Sequence, residues 1–244
     1  MKLSLGLLRR AAASLLGLTL FAPLAHADYF SDGFEQALNI VFQRMMTSYH
    51  RGENSPLQIT VLNVDRPLVR RYLERAQSSS FDPKTSLAIS YDPATRVDGK
   101  LAATCLVQYN PARRSNLLLG YEASGLFTRR DTLYYLAAHE FGHCMVFHQA
   151  ALGHGPHIDV AQNELIADEV AIAFFVANHQ PEVAEHIIDF NRELKDNPDH
   201  YHPQKLQHFF DLLTLKSKDH PTLGVHSMLD LYKLAIENTP LAAK

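Results

Sequence analysis

Basic charge is not in excess, cysteine is scarce, and no long apolar run occurs after the first residues. The 244-residue chain carries 23 Lys+Arg against 26 Asp+Glu, a formal charge of −3. A mildly acidic protein gives no electrostatic reason to expect nucleic acid or an anionic membrane surface as a partner. No stretch beyond the N-terminal region reaches the length of apolar helix needed to span a bilayer. No internal repeat or low-complexity segment is present. The only cysteines, Cys105 and Cys144, are too far apart for a zinc ribbon, and no lipobox cysteine follows the N-terminal apolar segment.

That N-terminal segment has the layout of an export signal. Lys2, Arg9 and Arg10 precede an apolar stretch from Ala11 to Leu24, and Ala25-His26-Ala27 places small residues before Asp28. Residues 1–27 are therefore expected to be a signal peptide cleaved after Ala27, and the protein to be secreted or periplasmic. The competing reading is an uncleaved anchor. In an oxidising compartment Cys105 and Cys144 are consistent with a disulfide, and equally with two small buried hydrophobes.

Residues 28–244 suit a single domain with a mixed first part (28–130) and a helical second part (131–244). Residues 32–49 place Phe34, Leu38, Val41, Phe42 and Met45 at helical spacing, with Asp32 as a plausible N-cap. Residues 57–64, 86–91 and 102–109 read as strands, with a turn at Pro93, Asp98 and Gly99. A short helix is expected at 66–77 and a short strand at 116–120. Further helices are expected at 131–149, 162–178, 181–194, 203–216 and 226–237, divided by Gly153, Gly155, Pro156, Pro181, Pro203 and Pro221. Strands first and helices afterwards imply an α+β fold, with a small mixed sheet packed on a helix.

The chemistry is concentrated in His139-Glu140-Phe141-Gly142-His143. Two His four residues apart on a helix differ by about 40° around the axis and about 6 Å along it, so both can reach one metal ion. Glu140 can lean toward water in an open coordination position. Gly142 costs about 1 kcal/mol relative to Ala inside a helix, which suggests that backbone room is needed there. Catalytic zinc generally takes a third protein ligand. The metzincin extension is absent, since Val146 and Gln149 occupy its positions. His148 is out of phase with His143, and His154 and His157 are weaker candidates in a loop. Glu164, near the start of the next helix, is the better one, and Asp168 shares its helix face. A carboxylate at Asp168 could orient a ligand imidazole through its outer N–H. The later histidines (His200, His202, His208, His220 and His226) are irregularly spaced and could form a weak metal-binding surface. Tyr201, His202, His220 and His226 are candidate donors to a developing oxyanion.

H-E-F-G-H followed by Asn163-Glu164-Leu165-Ile166-Ala167-Asp168 resembles the gluzincin metallopeptidases. Thermolysin-like enzymes carry N-E-x-x-x-D, and the HtpX-like and CAAX-prenyl-peptidase-like enzymes, with the exported BepA, carry E-x-x-A-D. Similar cores occur in uncharacterised bacterial metallopeptidase-like proteins. The resemblance covers about residues 100–230. It implies a zincin-like fold, Zn2+ held by His139, His143 and Glu164, Glu140 as general base, and Asp168 behind a ligand. It also implies a peptide or protein substrate lying along the strand at 102–109 as an edge strand. His220-Pro221 stands where the HtpX-like family has a later H-P segment. His226 follows without that family's Arg, and either His220 or His226 would steady the oxyanion. The alternative is a non-catalytic or chaperone-like envelope protein that keeps the metal site. Glu140, which such a protein could dispense with, is present.

Overall fold

The computed structural model describes residues 24–50, 57–64, 66–69, 71, 87–92, 96–97, 100–101, 103–110, 123–154, 158–219 and 228–239. Residues 1–23 of the expected signal, the expected strand at 116–120, the turn residues Pro93, Asp98 and Gly99, and His157, His220 and His226 lie outside them.

Helix α1 (Leu24–Tyr49) starts earlier than its periodicity suggests. Asp32 is an interior residue rather than the N-cap, because the Leu-Ala-His-Ala stretch before it contains no breaker. The helix buries Ala37, Leu38, Val41, Phe42, Met45 and Tyr49 along one side. Strands β1 (Leu57–Asn63), β2 (Leu87–Asp92) and β5 (Ala103–Tyr109) form a mixed sheet in the order β1-β5-β2. Between them, β3 (Arg96–Val97) and β4 (Lys100–Leu101) pair as a small antiparallel ribbon.

β1 runs parallel to β5, with Leu57 opposite Ala103 and Asn63 opposite Tyr109. β2 runs antiparallel to it, with Leu87 opposite Tyr109 and Asp92 opposite Thr104. The strand expected to be a substrate-binding edge is therefore the central one. Both of its hydrogen-bonding sides are taken, so no extended peptide can add to it. Its burial agrees with that position: Cys105, Val107 and Tyr109 are buried, and so is Gln108 between them.

Helices α2 (Arg129–Ala151) and α3 (Val160–Ala177) pack against each other through the centre of the protein. Thr128 caps α2 by accepting a hydrogen bond from the Asp131 N–H at 3.2 Å. A reciprocal capping box opens α3. The Gln162 N–H donates to Asp159 Oδ1 at 2.8 Å, and the Asp159 N–H donates to Gln162 Oε1 at 3.0 Å. Both helices are buried over most of their circumference, as enclosed helices are, α3 by mainly apolar residues and α2 by a mixture that includes His139, Glu140 and His143. α4 (Pro181–Asn191), α5 (Pro203–Asp219) and α6 (Met228–Asn238) close around α3, and α1 covers α2. The mixed α+β order is thus as expected, with helix predominating. Among the described residues no helix is long and apolar enough to cross a membrane.

Cys105 and Cys144 form a disulfide with a Cα–Cα distance of 5.7 Å and a sequence separation of 39. It ties the centre of the sheet to α2 one residue beyond His143. Closing a loop of that length contributes about 4 kcal/mol on a chain-entropy basis. Buried and half-buried polar contacts complete the frame around α1. Tyr49 Oη lies 2.7 Å from His148 Nδ1 and accepts from Gln149 Nε2 at 2.6 Å, and Tyr109 Oη donates to Glu35 at 2.7 Å.

α3 also carries a buried acid, Glu169. Its Oε1 accepts from Asn238 Nδ2 at 2.5 Å, while its Oε2 has no hydrogen-bond partner. Burial raises its pKa well above 4.5; Asp168 adds to the rise, and the Asn238 contact and Lys205 oppose it. A carboxyl whose folded pKa is raised contributes stability that is fully present below its unfolded value and lost as pH rises through its folded value. Glu169→Gln keeps the acceptor for Asn238 without the buried charge. It should raise stability by about 1–3 kcal/mol where the acid would be forced to ionise. The gain should shrink to nothing below about pH 4, where the unfolded chain is protonated as well. Urea unfolding from pH 4 to 8 checks this, and a constant difference across that range would refute it.

Candidate metal centre

α2 presents Tyr135, His139 and His143 at intervals of one helical turn, and α3 presents Glu164 and Asp168 in the same way. The two ladders face each other because Gly142 lets the helices close. A Cβ on Gly142 would lie 2.7 Å from Ala167 Cα and 3.3 Å from both Ala167 Cβ and its carbonyl oxygen. The backbone room inferred from the glycine is room for α3.

Three donor atoms converge across this contact. His139 Nε2 lies 3.1 Å from His143 Nε2 and 3.1 Å from Glu164 Oε2, and His143 Nε2 lies 3.5 Å from the same oxygen. Zinc bonds of about 2.0–2.1 Å at tetrahedral angles set neighbouring donors about 3.3 Å apart. The observed separations bracket that value. Glu164 Oε2 is buried and has no hydrogen-bond partner despite two imidazole nitrogens beside it. An orphaned oxygen facing two nitrogens is the arrangement expected of donors aimed at a common cation rather than at one another.

The outer nitrogens fix the tautomers. His139 Nδ1 lies 2.8 Å from Asp168 Oδ1, and His143 Nδ1 lies 3.1 Å from Asn163 Oδ1. With each Nδ1–H donated outward, each Nε2 keeps its lone pair for the centre. Asp168, itself buried, also accepts from Tyr135 Oη at 2.6 Å and from Asn191 Nδ2 at 3.5 Å.

The electrostatics follow from this crowding. Burial alone would depress the His139 pKa, but the neighbouring Asp168 and Glu164 carboxylates outweigh it and raise it well above 6.5. Burial would raise that of Glu164, but His139 and His143 hold it far below the ordinary carboxylate range. The carboxylates that raise the His139 pKa would equally favour a divalent cation between the converging donors. Glu140, buried beside the same group, is raised by burial, with His143 and His139 pulling it down and Glu164 pushing it up.

The structure thus brings together His139, His143 and Glu164, with Asp168 behind His139. No other group of three metal-ligating side chains is close enough to hold an ion among the described residues. His154 and His208 are exposed elsewhere, and His148 is buried against Tyr49. His202 directs its Nε2 at the Asp199 carbonyl, 2.8 Å away. The irregular tail histidines are therefore not a common metal surface among the described residues.

One of them does reach the centre. His200 Nδ1 lies 3.6 Å from Glu164 Oε2, and its ring stacks on that of His139 with centroids 6.3 Å apart. Nothing in its local sequence sets His200 apart from His202 or His208. Tyr135 and Asn191 were likewise not identified from sequence. Tyr135 alone carried a signal, standing one turn before His139. Compared with known protein families, curated proteins and solved structures, the chain matches none.

Proposed function

We propose that this protein is an exported zinc-dependent peptidase of the gluzincin type, acting on peptide or protein substrates. The observation that carries the reading is the convergence of His139 Nε2, His143 Nε2 and Glu164 Oε2 at 3.1–3.5 Å, with the Glu140 carboxyl buried beside them. His139, His143 and Glu164 would hold the ion. When bound, zinc supplies Lewis acidity, making water a nucleophile near neutral pH and polarising a carbonyl.

The chain's own groups do the rest. Glu140, outside the donor set, accepts the proton of the attacking water on its carboxylate and returns it to the departing amine. Asp168 holds His139 in the tautomer that leaves Nε2 free, and Asn163 does the same for His143. His200, whose Nδ1 lies 3.6 Å from Glu164 Oε2, would donate a hydrogen bond to a carbonyl oxygen as it gains charge.

The test is metal analysis of the purified full chain, with cleavage of a fluorescently labelled unfolded protein followed before and after chelation. One zinc per chain is expected, with cleavage abolished by the chelator and restored by zinc. Zinc well below one per chain would remove the metal centre from the proposal. A fully loaded chain that cuts nothing would leave a metal-binding envelope protein instead.

A further inference from the structure

We propose that Asn191 is a positioning residue that couples docking of the 192–202 segment to metal loading, so that each favours the other. This rests on the metal reading above.

Asn191 ends α4 and is only 2 % exposed. Its side-chain amide offers two N–H donors and one carbonyl acceptor. One donor direction faces Asp168 Oδ2 at 3.5 Å, and Nδ2 also donates to the His200 carbonyl. Its Oδ1 accepts from the His202 backbone N–H at 2.8 Å. One buried amide therefore serves the carboxylate that holds His139 and both sides of the residue pair that brings His200 to the centre. It is also where α4 stops short of its periodicity. Continuing the helix to 194 would carry the chain away from the contacts that Asn191 makes with residues 200 and 202.

No other residue type of this size fills the position. Asp would keep the acceptor for His202 but lose both donors, and it would set a second carboxylate against Asp168. Leu would leave the Asp168 oxygen, the His200 carbonyl and the His202 N–H short of partners in a buried place. The coupling follows from the shared amide. Metal bound to His139 Nε2 favours the Nδ1–H to Asp168 contact and an ordered Asp168. An ordered Asp168 favours the Asn191 rotamer that also grips residues 200 and 202. Reciprocity then requires the docked segment to raise metal affinity by the same factor.

The test uses the full chain with zinc as the probe. Hydrogen exchange at the His202 amide is measured with and without zinc, and zinc affinity is measured by chelator competition for the wild type, Asn191→Ala and Asn191→Asp. Zinc should slow wild-type His202 exchange by about 5- to 150-fold, the usual span of such couplings. Asn191→Ala should weaken zinc binding by about 10- to 100-fold and abolish the zinc-dependent slowing. Asn191→Asp should be at least as weak. A merely structural role would lower the melting temperature and leave the zinc affinity of the folded chain unchanged.

Wild-type zinc binding with no response at His202, or Asn191→Ala binding zinc as tightly as wild type, would overturn the coupling and leave the metal centre standing. A wild type that binds no zinc would overturn the metal reading itself, and the coupling with it. If Asn191→Ala does not fold, the wild-type exchange comparison alone decides.

Discussion

Glu140→Gln should bind one zinc per chain with wild-type affinity, yet cut unfolded protein about a hundred- to ten-thousand-fold more slowly. The range is what a positioned general base ordinarily contributes. Gln has the shape of Glu and keeps a carbonyl acceptor, but it cannot take a proton from water. Glu140 is not one of the three converging donors, so its change leaves the donor set intact. It is buried, and replacing a buried acid by a neutral isostere does not strand a partner charge, so folding should be undisturbed. The loss should fall on kcat with KM little changed, because the proton moves only as the transition state forms. Steady-state cleavage of a labelled peptide, beside metal analysis, separates the outcomes. Equal rates would remove Glu140 from the mechanism. A chain that no longer holds zinc would place Glu140 among the ligands instead.

What could be read from sequence and what could not divide along a physical line. His139 and His143 were legible because a helix fixes the relation between residues four apart, whatever surrounds it. Asp168 was legible by the same rule, once Glu164 was placed. Glu164 itself depended on two helices meeting. The one local sign of that meeting was Gly142, whose missing Cβ is where Ala167 now sits. The strand at 103–109 was legible as a strand but not as the middle of its sheet. Alternation reports which side chains are buried, not how many neighbours a backbone has. Cys105 and Cys144 could not be assigned for a similar reason, since a disulfide and a pair of buried thiols leave the same local pattern. Asn191 carried no signal at all, and His200 stood out only as one of five irregularly spaced later histidines. Their roles come from a turn-rich segment that periodicity does not describe, and from side-chain hydrogen bonds spanning 9 to 23 residues.

Gly142→Ala should destabilise the fold and weaken zinc binding together. In an isolated helix the change would be favourable, by about 1 kcal/mol. Here the added methyl would stand 2.7 Å from Ala167 Cα. That neighbour is backbone and cannot rotate away, so α2 and α3 must separate. Forcing a methyl into a close-packed contact costs about 1–3 kcal/mol, and more where backbone must shift, so overpacking outweighs propensity. The displacement reaches the metal centre directly, since His143 is the next residue on α2 and Glu164 is one turn before Ala167 on α3. Moving those helices apart opens the donor separations of 3.1–3.5 Å that match a tetrahedral ion. Gly142→Val should be worse still, adding two methyl groups at the same point. Gly153→Ala is the matching control. Gly153 has φ of 76° beyond the end of α2, with nothing within 4 Å of a built Cβ. Its cost should therefore be confined to backbone strain of about 1–2 kcal/mol, with zinc affinity unchanged. Urea midpoints and chelator competition on the two variants decide the matter. If Gly142→Ala were as stable and as tight for zinc as wild type, α2 and α3 would not meet as closely as the site requires.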